Sequence, residues 1–167
     1  MTDHDHHDDH DDHHHHAHDV ESLGAAIITV SSSRTLDDDP AGDAIAAAFE
    51  AGGHEIAVRD VVGDDFDALQ SAVDRLADRD DVDAVVTTGG TGVTPDDVTI
   101  EAVSALFGKE LPGFGELFRR RSESEIGTRV VGTRATAGIV AGVPVFCLPG
   151  SENAARLGRE ALLVPEA

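Results

Sequence analysis

Two stretches of this chain offer backbone that can approach an anion, and the first adds side chains that can hold a cation. The first is Thr87-Thr88-Gly89-Gly90-Thr91-Gly92, followed by Asp96-Asp97. Glycine lets backbone amides come close to a ligand, and carboxylates beyond the turn can hold a divalent cation such as Mg²⁺ that bridges to phosphate. The spacing G-x-G-x-x-G is absent and no Gly-Lys-Ser/Thr follows, so the dinucleotide and Walker cradles are excluded by pattern. Asp97 can ligate a metal or cap the next helix, with Asp96 able to cap in its place. The second stretch, Leu148-Pro149-Gly150-Ser151, repeats the logic of strand, tight turn and helix start. Amides there can hold another anionic group, and Ser151 can donate to it or cap the helix. Together the two turns suggest a substrate with two separated anionic parts.

Three further groups complete the inventory. Asp64-Asp65 follows an apolar run, and in a parallel sheet Asp64 would face the same crevice as Asp97 and share a Mg²⁺ with it. In so acidic a chain, such a pair also arises by composition alone. Arg119-Arg120-Arg121, followed by Ser122, is the only basic cluster. It suits phosphate neutralisation or ion pairing between subunits, though three successive side chains on a helix cannot face one way. Cys147 lies in an apolar run and reads as a small buried hydrophobe. No G-x-S-x-G elbow supports a serine nucleophile.

Positioning these groups requires alternating strands and helices. Ala25–Val30, Glu55–Val62, Ala84–Thr88 and Val143–Leu148 read as strands, with Ser31–Asp39 a polar turn. Pro40–Ala51, Asp65–Ala77 and Val98–Leu106 read as helices, the first stopped by Gly52-Gly53 and the second capped by Asp64 or Asp65. Residues 109–115 (KELPGFG) read as a loop and Glu116–Arg121 as a short helix. Arg129–Gly132 reads as an edge or hairpin strand, Arg134–Val140 as a helical turn, and the residues after Ser151 as a final helix. This alternation is the βαβ pattern of a mostly parallel sheet covered on both faces.

The 167 residues carry 33 acidic and 12 basic side chains, a formal net charge of -21, with Lys109 the only lysine. Hydrophobic residues still make up 40% of the chain, enough for a real core. The acidity reads as a solvated, halophile-like surface adapted to high salt. Without a basic stripe, nucleic acid and anionic membrane surfaces are disfavoured as partners. A single cysteine permits no internal disulfide and fits a reducing, cytoplasmic setting. Residues 1–22 hold nine of the ten histidines among many aspartates. They read as a disordered tail with loose transition-metal affinity, ahead of one α/β domain over residues 23–167.

Four motifs in order resemble one family. Thr29-Val30-Ser31, Thr88-Gly89-Gly90-Thr91-Gly92 with Asp97, the stretch Pro112-Gly113-Phe114-Gly115-Glu116-Leu117-Phe118-Arg119, and Leu148-Pro149-Gly150-Ser151 are similar to those of the MoaB/MogA molybdenum cofactor biosynthesis family. The resemblance implies a three-layer αβα sandwich, and Mg²⁺-dependent adenylyl transfer from ATP to the molybdopterin phosphate with release of pyrophosphate. It gives Asp97 and Asp64 the catalytic metal, and the Gly89–Gly92 amides the nucleotide phosphates. It places Ser31, Thr88, Gly115, Glu116, Arg119, Ser122, Pro149, Gly150 and Ser151 around the substrates. It also implies a homotrimer or dimer of trimers and a downstream molybdate-inserting partner. The sequence departs from the pattern at Asp96, where the family often has Arg, and at Ile100, where Pro is common. Three other readings stand beside catalysis: a protein that binds and sequesters molybdopterin, a non-enzymatic scaffold, and metal handling by the His-rich tail.

Overall fold

A computed structural model describes residues 22–162; the remainder, including all but the last residue of the expected tail, lies outside the described residues. The strands are β1 (Gly24–Val30), β2 (Glu55–Val62), β3 (Ala84–Thr88), β4 (Lys109–Glu110), β5 (Thr136–Val140) and β6 (Val143–Leu148). The helices are α1 (Pro40–Ala51), α2 (Phe66–Ala77), α3 (Thr99–Ser104), α4 (Pro112–Ile126) and α5 (Glu152–Leu162), with a 3₁₀ turn over Gly127–Gly132. One six-stranded sheet has the order β2-β1-β3-β6-β5-β4. Its β2-β1-β3-β6 portion is parallel, β5 pairs antiparallel with β6, and β4 pairs antiparallel with β5.

Side-chain alternation along the strands splits the core into two layers. Ala25, Ile27, Val86 and Leu148 face α1, α4 and α5 through Ile45, Phe49, Phe118 and Leu157. Ala26, Ile28, Val85 and Cys147 face α2 and α3 through Leu69, Val73, Leu76 and Val103. The result is an α/β sandwich of three layers, as the sequence pattern predicts. Phe118, 1% exposed, is among the largest side chains sealed in it; burial of that kind contributes about 2–3 kcal/mol. No helix among the described residues is long and apolar enough to cross a membrane.

The middle of the chain corrects five expectations. The loop assigned to residues 109–115 is instead strand β4 followed by the start of α4, and the short helix is the centre of a 15-residue one. Pro112 occupies the first helical turn, where a missing N–H costs nothing, and Gly115 sits where a Cβ would lie 2.6 Å from the Ala135 carbonyl oxygen. Arg129–Gly132 lies in the 3₁₀ turn rather than a strand. The helical turn assigned to Arg134–Val140 is strand β5, paired with β6 through the two-residue turn Ala141-Gly142. Both turn residues have positive φ (49° and 83°), the geometry whose twist suits a hairpin. The helix expected over Val98–Leu106 is shorter, Thr99–Ser104.

Candidate substrate site

In this strand order the chain leaves β1 for β2 on one side and returns to β3 on the other, so a crevice opens beyond the carboxyl ends of β1 and β3. Open α/β sheets bind ligands at such a switch point. A cavity of about 240 Å³ lies there, walled by Ser31, Arg34, Asp39, Thr88, Gly89, Gly150 and Ser151 among others. Ligand clefts run to ~300–1,000 Å³, so this one suits part of a larger substrate.

The two turns singled out in the sequence meet here. A Cβ built on Gly150 would lie 3.1 Å from the Gly89 Cα, so the turns touch. Thr88 Oγ1 donates to the Pro149 carbonyl at 3.1 Å, and Gly89 N–H donates to the Leu148 carbonyl at 2.9 Å. Gly89 (φ 101°) and Gly90 (φ 67°) need the left-handed region, and a Cβ on them would meet Val30 O at 2.4 Å and Thr99 Oγ1 at 2.2 Å. The amides expected to hold phosphate are therefore not equivalent. That of Gly89 is spent on Leu148 and that of Gly92 lies against Asp97, whereas those of Gly90 and Thr91 make no backbone hydrogen bond.

Asp97 caps nothing, and neither does Asp96: α3 begins after Val98 without a side-chain cap. Instead Asp97 Oδ2 accepts from Thr94 Oγ1 at 2.7 Å and Thr94 N at 3.0 Å. The Thr94 hydroxyl, then the Thr94 and Gly92 amides and the Arg134 charge, hold its carboxyl below the usual carboxylate range. Asp64 Oδ2 accepts from Ser32 Oγ at 2.8 Å, while Asp65 caps α2 through Ala68 N at 2.7 Å. Neither Asp64 nor Asp97 walls the cavity; Asp64 follows the end of β2, and Asp97 lies in the loop between β3 and α3. Among the described residues no three His, Cys, Asp or Glu side chains converge on a metal position. The two carboxylates are held by separate partners, Asp64 by Ser32 and Asp97 by Thr94, and each alone is an anionic oxygen donor of the kind Mg²⁺ takes.

Other expected residues take structural roles. Ser151 Oγ accepts from Ala154 N at 3.0 Å and so caps α5 while also walling the cavity. Ser31 Oγ accepts from Ser33 N and Arg34 N, fixing the turn after β1. Arg119 lies away from the cavity and donates to the carbonyls of Ala135 (3.1 Å) and Thr133 (3.4 Å). Gly115 lets that guanidinium approach, and Glu116 is exposed. Ser122 Oγ donates to the Phe118 carbonyl and lines a separate hollow of about 100 Å³ with Pro149, Ser151 and Asn153. Cys147 is buried, and burial pushes its thiol up to about 12.

Sequence reading missed Asp39, which it left inside a polar turn. Asp39 is 2% exposed on the cavity wall. It accepts from Thr29 Oγ1 at 2.6 Å, Arg59 Nη2 at 2.9 Å and Gly42 N at 3.1 Å. The available signal was Asp39-Pro40, a cap residue followed by proline at the first helical position. The N-termini of α1 and α5 and Arg34 thus border one cavity together with the carboxylates of Asp39 and Glu152; the helix N-termini are the part of its wall that attracts an anion.

An open sheet with a glycine turn and a Pro-Gly turn joined at its switch point defines a small-molecule-binding α/β protein. Residues 26–167 match the family described as "Probable molybdopterin binding domain". The chain is 45% identical over 141 residues to molybdenum cofactor biosynthesis protein B of Bacillus subtilis (strain 168), covering 84% of this chain and 83% of that protein. It superposes on a crystal structure of molybdenum cofactor biosynthesis protein B with a TM-score of 0.83 at 42% identity, covering 87% and 91% of the two chains. On the tungsten cofactor synthesizing protein MoaB from Pyrococcus furiosus the TM-score is 0.73 at 39% identity, covering 86% and 92%. The chain belongs to the MoaB/MogA family and has a general role in molybdenum cofactor biosynthesis.

Proposed function

We propose that this protein is a molybdopterin adenylyltransferase, transferring adenylate from Mg²⁺-ATP to the terminal phosphate of molybdopterin and releasing pyrophosphate. The observation that carries this reading is the contact between the glycine turn and the Pro-Gly turn at the switch point. Two anion-ready turns in contact suit a reaction that brings two phosphate-bearing substrates together. The attacking oxygen belongs to the molybdopterin phosphate, the bond broken joins the α-phosphorus of ATP to pyrophosphate, and atoms balance without a covalent enzyme intermediate.

The chain's own groups have distinct tasks in this reading. The amides of Gly90 and Thr91 bind nucleotide phosphate, while Gly150, Ser151 and Ser31 border the pterin phosphate. Asp97 and Asp64 would hold Mg²⁺, which when bound neutralises phosphate charge. The depressed pKa of Asp97 keeps it anionic at neutral pH for that task. Product would pass to a molybdate-inserting protein, and the active assembly would be a homotrimer or dimer of trimers.

A second reading, binding and sequestering molybdopterin, is favoured by one residue. Exposed Asp96 puts a negative charge beside the phosphate turn. The experiment follows adenylyl-molybdopterin and pyrophosphate from full-length protein at molar KCl. Wild type should form product, and Asp97→Asn should lose at least about 100-fold in rate while remaining folded. Undiminished transfer by the variant would refute the assignment, and pterin binding without product in wild type would establish the second reading.

A further inference from the structure

All four carbonyls of the glycine turn are taken. Gly89 O accepts from Thr99 Oγ1 at 2.8 Å and Gly90 O from Thr99 N at 3.0 Å. Thr91 O accepts from Arg134 Nε at 3.3 Å. Gly92 O accepts from Arg134 Nε at 2.9 Å and Nη2 at 2.5 Å. Arg134 Nη1 donates to Glu101 Oε1, and Nη2 lies 3.5 Å from Glu101 Oε2. One guanidinium therefore spans the turn and the first turn of α3.

In a planar trans peptide the carbonyl and the following N–H point in opposite directions. Fixing the carbonyls of Gly89 and Gly90 orients the amides of Gly90 and Thr91, which is the work of Thr99. Fixing the carbonyls of Thr91 and Gly92 orients the amides of Gly92 and Val93, which is the work of Arg134. Gly92 in turn touches Asp97: a Cβ placed on it would lie 2.5 Å from Asp97 Oδ2. Arg134 itself is steadied from behind, because Arg119 donates to the carbonyls on either side of it, Thr133 and Ala135.

Only arginine has the fork for this arrangement; a lysine ammonium is a point donor and cannot serve the turn and Glu101 with fixed geometry. The Arg134 and Glu101 side chains are 31% and 51% exposed, so water competes for the ion pair and its contribution to global stability is small. Its effect falls on local order.

We propose that Arg134, clamped by Glu101, is a positioning residue that sets the Thr91–Val93 peptide planes, and through them Asp97, for a phosphate-bearing nucleotide. This rests on the reading of the glycine turn as the nucleotide phosphate site. The test uses the full chain at molar KCl, with variants Arg134→Ala, Arg134→Lys, Glu101→Ala and Glu101→Gln, and Arg79→Ala as a control. The control breaks an exposed pair with Asp81 far from the turn. Amide hydrogen exchange at Gly92 and Val93, calorimetric Mg²⁺-ATP binding, and the split between KM and kcat are measured.

Arg134→Ala and Arg134→Lys should exchange faster at both amides and bind Mg²⁺-ATP about tenfold more weakly, with KM for ATP raised in step. The melting temperature should stay near that of the control. Glu101→Ala should show part of the effect and Glu101→Gln, which still accepts from the guanidinium, should restore it. Wild-type exchange and affinity in both Arg134 variants would overturn the proposal. So would a lowered active fraction at unchanged KM, which is the mark of a purely structural role. If the alanine variant fails to fold, the lysine and glutamate variants decide the matter. If wild type binds nucleotide but makes no product, the adenylyltransferase reading fails, while exchange and binding still judge Arg134.

Discussion

Replacing Asp39 with alanine tests the site at its most buried charged residue. The carboxylate caps α1 through Gly42 N, accepts the Thr29 hydroxyl and faces Arg59. Loss of the cap costs about 1 kcal/mol. Thr29, 5% exposed, would be left with an unpaired hydroxyl, a further cost of about 1–3 kcal/mol. Arg59 is not orphaned, because its Nη1 keeps Asp43 at 2.6 Å and its side chain is 25% exposed, so the lost ion pair adds less than a buried pair would. These terms overlap, and the expected destabilisation is about 2–4 kcal/mol. For a chain of this size that lowers the melting temperature by roughly 5–12 °C. Urea unfolding at molar KCl, where screening suppresses general charge repulsion, measures it. Asp39→Asn keeps an oxygen for the cap and should lose only about half as much. A loss below about 1 kcal/mol for Asp39→Ala, or an asparagine variant as damaged as the alanine one, would refute the account of Asp39 as the hub joining β1, α1 and β2.

Gly90→Ala must place a Cβ at positive φ, 2.2 Å from Thr99 Oγ1. It should cost about 2–3 kcal/mol in urea unfolding and abolish nucleotide binding. Cys147, with its thiol raised to about 12 by burial, should resist thiol reagents in native protein at pH 8 and react on unfolding. Because its folded pKa lies above its unfolded value, its contribution to stability is whole below the unfolded pKa and falls as pH rises toward 12; alkaline unfolding curves of Cys147→Ala should lack that component. Asp97 and Glu101 have the opposite sign, held low chiefly by the Thr94 hydroxyl and by the Arg134 hydrogen bond respectively. Their contribution is present above the ordinary carboxylate pKa of about 4. It is lost as pH falls through the depressed values, so amide protection in the glycine turn, relative to the intrinsic exchange rate at each pH, should fall there.

The sequence by itself determined the parallel half of the sheet. The bounds of β2, β3 and β6 agree with the reading, because short apolar runs between capped helices have few other packed solutions. It also identified the two turns that build the cavity, since Gly89, Gly90 and Gly150 stand where a Cβ would strike neighbouring atoms. Tertiary structure alone decided the antiparallel edge. In Thr136–Val140 the Ala137-Gly138 pair interrupts the β-branched Thr136, Ile139 and Val140, and the segment extends because β6 offers a partner across the Ala141-Gly142 turn. Gly138 there makes room for the Phe107 ring, which a Cβ would meet at 2.4 Å. Only the fold decided which charges matter, too. Asp39 is one of three successive aspartates, distinguished by the Thr29 and Arg59 side chains that reach it. Arg134 stands outside the arginine cluster the sequence advertises, and it meets the glycine turn 42 residues earlier. A local pattern records what a segment can become; which distant donor finds which carbonyl is settled by how the layers pack.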